Sequence, residues 1–200
     1  MAEDGERVVS SLVTIGRSCT IQMAHLLEHH RGNCKAIHGH TYRFALELTG
    51  VIPPYATPRF LMDFGDLKTV VFKPLNDLLD HALLVTDRVA RQCSGDLLTL
   101  HDKLSQFGGI QESLGIQLRS RYPYDDAIRP MAAQVRVAII YQGLDTSCED
   151  LALWFAAFAA SKIHQHQLDR DDWRVRKVRA QVFETIQDGA WASSEVTLAQ

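Results

Sequence analysis

The chain has no apolar run long enough to cross a bilayer, no block of like charge, no internal repeat and no C-x-x-C pair. Each absence narrows what it can be. Its longest uninterrupted apolar stretch, Leu151 to Ala160, falls far short of the roughly 20 residues a membrane-spanning helix requires. The opening residues, MAEDGERV, are acidic and contain no apolar signal region, so the expectation is a soluble, cytoplasmic protein. Lys and Arg number 21 against 24 Asp and Glu, for a net charge of -3 and a pI near 6.3. No basic patch is available for a phosphate backbone, so nucleic acid and membrane are not expected partners. Cys19, Cys34, Cys93 and Cys148 are widely spread, which suits a reducing compartment better than a disulfide framework. Any cysteine that matters here matters through its reactivity. With no Gly/Ser-rich linker, and with 46% hydrophobic and 22% charged residues, residues 1–200 read as one domain able to bury a core.

What is present alternates between strand and helix patterns. Val8 to Ile15 and Arg17 to Ala24 are expected strands, and Thr41 to Gly50 puts Tyr42, Phe44, Leu46 and Leu48 on one face. From about Asp66 to Leu79, Leu67, Val70, Val71, Leu75, Leu78 and Leu79 recur at helical spacing. Pro74 should kink that helix, because its ring nitrogen cannot donate to the carbonyl four residues back. A second helix is expected from Ser147, whose hydroxyl can cap free N–H groups, with Leu151, Trp154, Phe155 and Phe158 on its apolar face. Strand patterns return at Gln134 to Tyr141, Val175 to Glu184 and Trp191 to Leu198. The expected class is α+β, an antiparallel sheet with two main helices. Between about 87 and 133 the pattern is broken by Gly108-Gly109 and Tyr122-Pro123. That segment reads as an elaboration, with a short helix possible from Asp96 to Gln106.

Three histidines fall on these strand patterns in a way that points to metal. His38 and His40 stand two apart at the head of the Tyr42 row, and residues two apart in a strand share a side. His25 likewise ends the row Cys19, Ile21, Met23. An H-x-H pair alone is as well explained by hydrogen-bonded core histidines. If the two strands pair, however, three imidazoles converge, a set suited to Zn²⁺ with one position left for water or substrate. His164 and His166 are the control: on a helix, residues two apart point nearly opposite ways, so both are expected to be solvated.

Other candidates are weaker. Cys34, in the loop Arg31 to His38, could be a fourth ligand closing the site or a proton carrier beside an open one, and spacing leaves both possible. Asp80-His81 can form a carboxylate–imidazole pair, although a helix-terminal Asp beside a surface His explains the dipeptide equally. Glu184 ends the inward row Val178, Ala180, Val182. Such a carboxylate needs donors: an Arg, backbone groups, or the two N–H groups on one edge of an aminopyrimidinone.

In combination these residues resemble the 6-pyruvoyltetrahydropterin synthase family, which includes bacterial 6-carboxytetrahydropterin synthase of the queuosine and deazapurine pathway. The resemblance rests on MAH at Met23 to His25, CKAIHGHTY at Cys34 to Tyr42 and MDFGDLK at Met62 to Lys68. It continues with LDHALL at Leu79 to Leu84, TSCEDLALW at Thr146 to Trp154, and VFET at Val182 to Thr185 followed by Trp191-Ala192. It implies the tunnelling fold: antiparallel strands with two helices on one face, three subunits joined in a barrel, and two trimers stacked as a homohexamer with sites between subunits. It also implies zinc on His25, His38 and His40, proton transfer by Cys34 with Asp80 and His81, and a pterin anchored by Glu184 with help from backbone near Ser147. Three residues separate Cys34 from His38, which looks like the carboxytetrahydropterin branch.

The implied reaction turns 7,8-dihydroneopterin triphosphate into 6-carboxy-5,6,7,8-tetrahydropterin, releasing acetaldehyde and triphosphate. The alternatives are 6-pyruvoyltetrahydropterin synthase or a related pterin lyase and, in another class, a non-catalytic zinc-stabilised binding protein. His29, His30, Arg31 and Lys35 are candidates for the triphosphate. The sequence departs from the family pattern before Met23, where a phenylalanine is missing, and ahead of the second helix, where an expected asparagine-proline reads Asp145-Thr146. Its middle segment is also longer than in the compact bacterial enzymes.

Overall fold

The structure, a computed structural model, describes residues 11–92, 116–119, 136–141, 143–168, 174–185 and 189–198. Its frame is a long antiparallel pair, β1 (Ser11–His25) and β2 (His38–Ile52), in register from Ser11↔Ile52 to His25↔His38. The two strands expected on either side of Gly16 are thus one, because Gly16 stays paired with Glu47 and the ladder passes through it. On the far side of β2 lie β6 (Val175–Phe183) and β7 (Trp191–Thr197), both antiparallel. The β2–β6 register shifts at Thr49/Gly50, where a side chain on Gly50 would collide with the carbonyl of Arg174. Glycine is required there by this close approach.

On its other side β1 carries an extension of which only one strand, the one expected from Gln134 to Tyr141, was suggested by the strand patterns. It consists of β3 (Ala82–Thr86), β5 (Arg136–Ile140) and β4 (Ile116–Arg119), giving the order β4-β5-β3-β1-β2-β6-β7. The β1–β3 and β3–β5 pairings are parallel, so the sheet is antiparallel in one half and mixed in the other. Strands β3 and β5 are buried on both faces. Leu84, Ala138 and Ile140 enter the main core, while Val85, Val137 and Ile139 form a second cluster with Val89 and Ala90 of α3 (Asp87–Gln92). Within the 87–133 segment the described parts are α3 and β4; the helix expected from Asp96 to Gln106 lies outside the described residues.

Two helices cover the opposite face of the sheet from the polar row Thr41, Arg43 and Glu47. The first runs as α1 (Phe64–Leu67), a π turn (Lys68–Phe72) and α2 (Lys73–Leu79). Asp63 caps it, its carboxylate accepting from the N–H groups of Gly65 and Asp66. Pro74 sits in the first turn of α2, directly after the π turn, where Lys73 N–H reaches back to Lys68 O. The wider turn adjusts the ladder where proline offers no donor. The second helix, α4 (Cys148–Leu168), buries Leu151, Trp154, Phe155, Phe158 and several alanines. The core joins these to Tyr42, Phe44, Leu46 and Leu48 of β2 and to Val178, Ala180 and Val182 of β6, all at most 1% exposed on the strands. His166 differs from expectation: it is only 23% exposed, with Nε2 3.5 Å from Asp66 Oδ2.

Candidate metal and substrate site

The continuous β1–β2 ladder places His25 opposite His38 and Met23 opposite His40, so row parity carries all three imidazoles to one end of the core-facing surface. Ring centroids are 4.5 Å apart for His25–His38, 5.4 Å for His25–His40 and 4.9 Å for His38–His40. Glu184, just beyond β6, reaches the same point: Oε1 lies 3.4 Å from His25 Nε2 and 3.6 Å from His40 Nε2. One ligand atom from each of His25, His38, His40 and Glu184 falls within 4.8 Å of all the others.

Hydrogen bonding has prepared the rings to be ligands. His25 Nδ1 is 2.9 Å from Thr146 O, and His38 Nδ1 is 2.7 Å from Ala36 O. A carbonyl can only accept, so each Nδ1 carries the proton and each Nε2 keeps its lone pair, the outer-shell pattern of metal-binding histidines. The Nε2 atoms of His38 and His40 are buried and have no hydrogen-bond partner. Buried nitrogen lone pairs left open around a carboxylate are costly unless something cationic or donating occupies the centre. The donor set fits a divalent ion.

The surroundings tune these groups. Burial lowers the pKa of fully buried His25, as do His38 and His40, against the opposing pull of the Thr146 carbonyl and Glu184. Its neutral, ligating form is therefore favoured. Tyr42, also fully buried, brings its hydroxyl to 3.0 Å from His25 Nε2 and 3.2 Å from Nδ1. Burial, then Glu184, Cys148 and Cys34, hold that phenol well above its ordinary pKa. Cys148, at the head of α4, is raised to about 12 by burial first and then by Glu184 and Glu149. Neither Tyr42 nor Cys148 had been singled out chemically from the sequence, because one sits in a core row and the other in a helix start.

The remaining candidates take separate places. Cys34 is a half-buried free thiol in the 3-10 turn Asn33–Lys35, and its carbonyl accepts from Leu27 N–H at 2.8 Å. Asp80 and His81 occupy the turn from α2 to β3. Asp80 Oδ1 accepts from Gln22 N–H at 3.0 Å, while Oδ2 lies 2.8 Å from His81 Nδ1. His81 has φ 60° and a ring 74% exposed, with its own N–H donated to Gln22 O at 2.6 Å. A left-handed backbone at a non-glycine residue is uncommon, and these bonds on either side hold it. Ser147 caps α4, its Oγ accepting from Asp150 N–H at 3.3 Å. His29, His30, Arg31 and Lys35 are exposed on the loop beside the cluster. Among the described residues no helix is long and apolar enough to cross a membrane.

Comparison with known proteins bears on the family and the fold. A model of the 6-pyruvoyl tetrahydropterin synthase family matches residues 14–195. A 6-carboxy-5,6,7,8-tetrahydropterin synthase of Haemophilus influenzae is 36% identical over 92 residues, which are 46% of this chain and 64% of that protein. The match thus spans just under two thirds of the relative's length. Among solved structures, 6-pyruvoyltetrahydropterin synthase of Plasmodium vivax superposes with TM-score 0.56 at 16% identity, covering 94% of this chain and 99% of that one. An uncharacterised protein of Wolinella succinogenes gives TM-score 0.58 at 15% identity, with 94% and 99% covered. At such identities these structures establish the shared fold.

Proposed function

Because this chain belongs to the 6-pyruvoyl tetrahydropterin synthase family, we propose that it converts 7,8-dihydroneopterin triphosphate to 6-carboxy-5,6,7,8-tetrahydropterin, releasing acetaldehyde and triphosphate. The observation that carries this is the convergence of His25, His38 and His40 beside a carboxylate, with the buried Nε2 atoms of His38 and His40 left without a hydrogen-bond partner. These three residues would hold Zn²⁺. The ion would supply Lewis acidity toward the hydroxylated side chain of the substrate without redox change.

The chain's own groups divide the rest. Glu184, 27% exposed, is assigned to the pterin, accepting two N–H groups from the edge of its aminopyrimidinone ring. Backbone near Ser147, which caps α4, is assigned to help hold the pterin. Cys34 and the Asp80–His81 pair are assigned to moving protons, with Asp80 orienting the imidazole and stabilising its charged form. The exposure of the His81 ring supports sites that lie between subunits of a hexamer built from two trimers, since an exposed ring can serve a neighbouring protomer.

The test is turnover of 7,8-dihydroneopterin triphosphate by zinc-loaded protein, with the product identified by mass and acetaldehyde assayed directly. A carboxytetrahydropterin with stoichiometric acetaldehyde is expected. A pyruvoyl product without acetaldehyde would reassign the chain within its family, and absence of any turnover would leave a binding protein.

A further inference from the structure

Thr146 precedes α4 and is fully buried, and each of its polar groups is engaged. Its carbonyl accepts from His25 Nδ1 at 2.9 Å, its hydroxyl donates to Leu26 O at 2.6 Å, and its N–H donates to Asp145 Oδ1 at 2.7 Å. It therefore grips both the His25 ring and the backbone directly behind that ring. The grip is anchored in turn to the helix: Asp145 N–H donates to Asp150 Oδ2 at 2.6 Å, and Leu151 N–H to Ser147 O at 2.9 Å. The loop that leads into a 21-residue helix thus carries, in Thr146, the carbonyl that fixes the Nδ1 proton of His25.

We infer that Thr146 is a positioning residue for the metal site, acting through His25, and that its hydroxyl as well as its carbonyl is needed. The inference rests on the metal reading above and deepens it. Proline, the residue the family pattern leads one to expect here, would offer the carbonyl but neither the hydroxyl nor the N–H. In this chain the hydroxyl bond to Leu26 O couples the end of β1 to the start of α4. The carbonyl then stays aligned with Nδ1, and His25 keeps the tautomer whose Nε2 faces Glu184 and the other two rings.

The test uses Thr146→Val, which keeps the shape and the carbonyl and removes the hydroxyl. Zn²⁺ affinity, measured by chelator competition, should weaken roughly tenfold or more, the scale seen when an outer-shell partner of a ligating histidine is lost. In the zinc-free protein, ¹⁵N shifts of the His25 ring should move from the Nδ1–H tautomer toward a mixture. Thr146→Ser should restore both. Asp63→Ala removes the cap of α1, which makes it a control for lost stability alone, and it should leave Zn²⁺ affinity unchanged. Equal Zn²⁺ affinity and an unchanged tautomer in Thr146→Val would overturn the inference, as would equal weakening in Asp63→Ala. If the unaltered protein fails to bind Zn²⁺, the metal reading falls, while the tautomer measurement still decides whether Thr146 orients His25.

Discussion

Glu184 stands where two roles compete, and replacing it with glutamine separates them. Four ligand atoms around an ion at roughly 2.0–2.1 Å are about 3.4 Å from one another. The carboxylate lies 3.4 Å from His25 Nε2 and 3.6 Å from His40 Nε2, so geometry alone admits it as a fourth ligand. The alternative is that it faces the pterin and leaves the fourth position open. Glutamine preserves the shape, and the backbone is held independently by Glu184 N–H donating to Ala190 O at 3.1 Å. What changes is one acceptor turned into a donor and the loss of charge. A hydrogen bond to a charged group contributes about 1.5–3 kcal/mol, against about 0.5–1.5 for a neutral one. Losing one such bond and weakening the other comes to about 2–4 kcal/mol for a partly exposed carboxylate. That corresponds to a fall in kcat/KM of about thirtyfold to a thousandfold, since each 1.36 kcal/mol is about tenfold. Zinc content should stay at the level of the unaltered protein. Steady-state kinetics and metal analysis on one preparation read both quantities. Loss of zinc in Glu184→Gln, or kcat/KM within a factor of three of the original, would refute the assignment of Glu184 to the pterin.

The other expectations concern particular groups. Cys34→Ala should retain zinc and lose turnover, whereas His38→Ala should lose both; metal analysis beside product formation distinguishes them, and zinc loss from Cys34→Ala would make that thiol a ligand. Burial first, then Asp80, raises Cys19 to about 11, and burial raises Cys148 to about 12, so both thiols stay protonated at pH 8.5. Peptide mapping after brief iodoacetamide treatment should find Cys34 modified well before either, because the thiolate is the reactive form. The same two shifts set a sign for stability: above the ordinary thiol value of 9.0 the folded chain holds protons that the unfolded chain releases. Stability should therefore decline as pH rises from 9 toward 11, and a flat urea midpoint over that range would contradict it. Gly50→Ala should cost about 1–3 kcal/mol in urea unfolding, because its Cβ would meet the Arg174 carbonyl and Leu61.

The imidazole cluster was legible in the sequence because it follows from parity alone. Once β1 and β2 are strands that pair, the rows ending in His25 and beginning at His38 and His40 must share a face. The core rows of β2 and β6 and the apolar stripe of α4 were legible for the same reason. Strand β3 was not, because Ala82 to Thr86 is a short apolar run with no alternation, placed directly after a helix. Burial on both faces, which parallel pairing produces, erases the period-2 signal. The Thr146 contacts were hidden as well. A carbonyl and a hydroxyl that act on a residue some 120 positions away leave no local pattern, and the Asp145-Thr146 departure could be seen only as a missing proline. His166 was misjudged because the helix pattern says which way a ring points, but not that Asp66 comes to meet it.

These two halves of the sheet carry different duties. The antiparallel half, β1, β2 and the end of β6, supplies the atoms that would touch an ion or substrate: His25, His38, His40 and Glu184. The parallel half supplies what orients them. Strands β1, β3 and β5 run the same way, so their carboxyl ends open on one side, the usual position for a site in a parallel arrangement. There Thr146, from the segment after β5, binds His25 and Leu26, and Arg88 of α3 meets Glu28 at 2.9 Å on the loop that also carries Cys34. A cavity of about 460 Å³ lies between these segments, lined in part by Glu28, Thr86, Arg88 and Asp145. Changes in α3 therefore have a short mechanical path to the Cys34 loop through Arg88. His38 and His40 are instead fixed within the β1–β2 ladder. Variation in α3 should accordingly alter the Cys34 loop more readily than metal affinity.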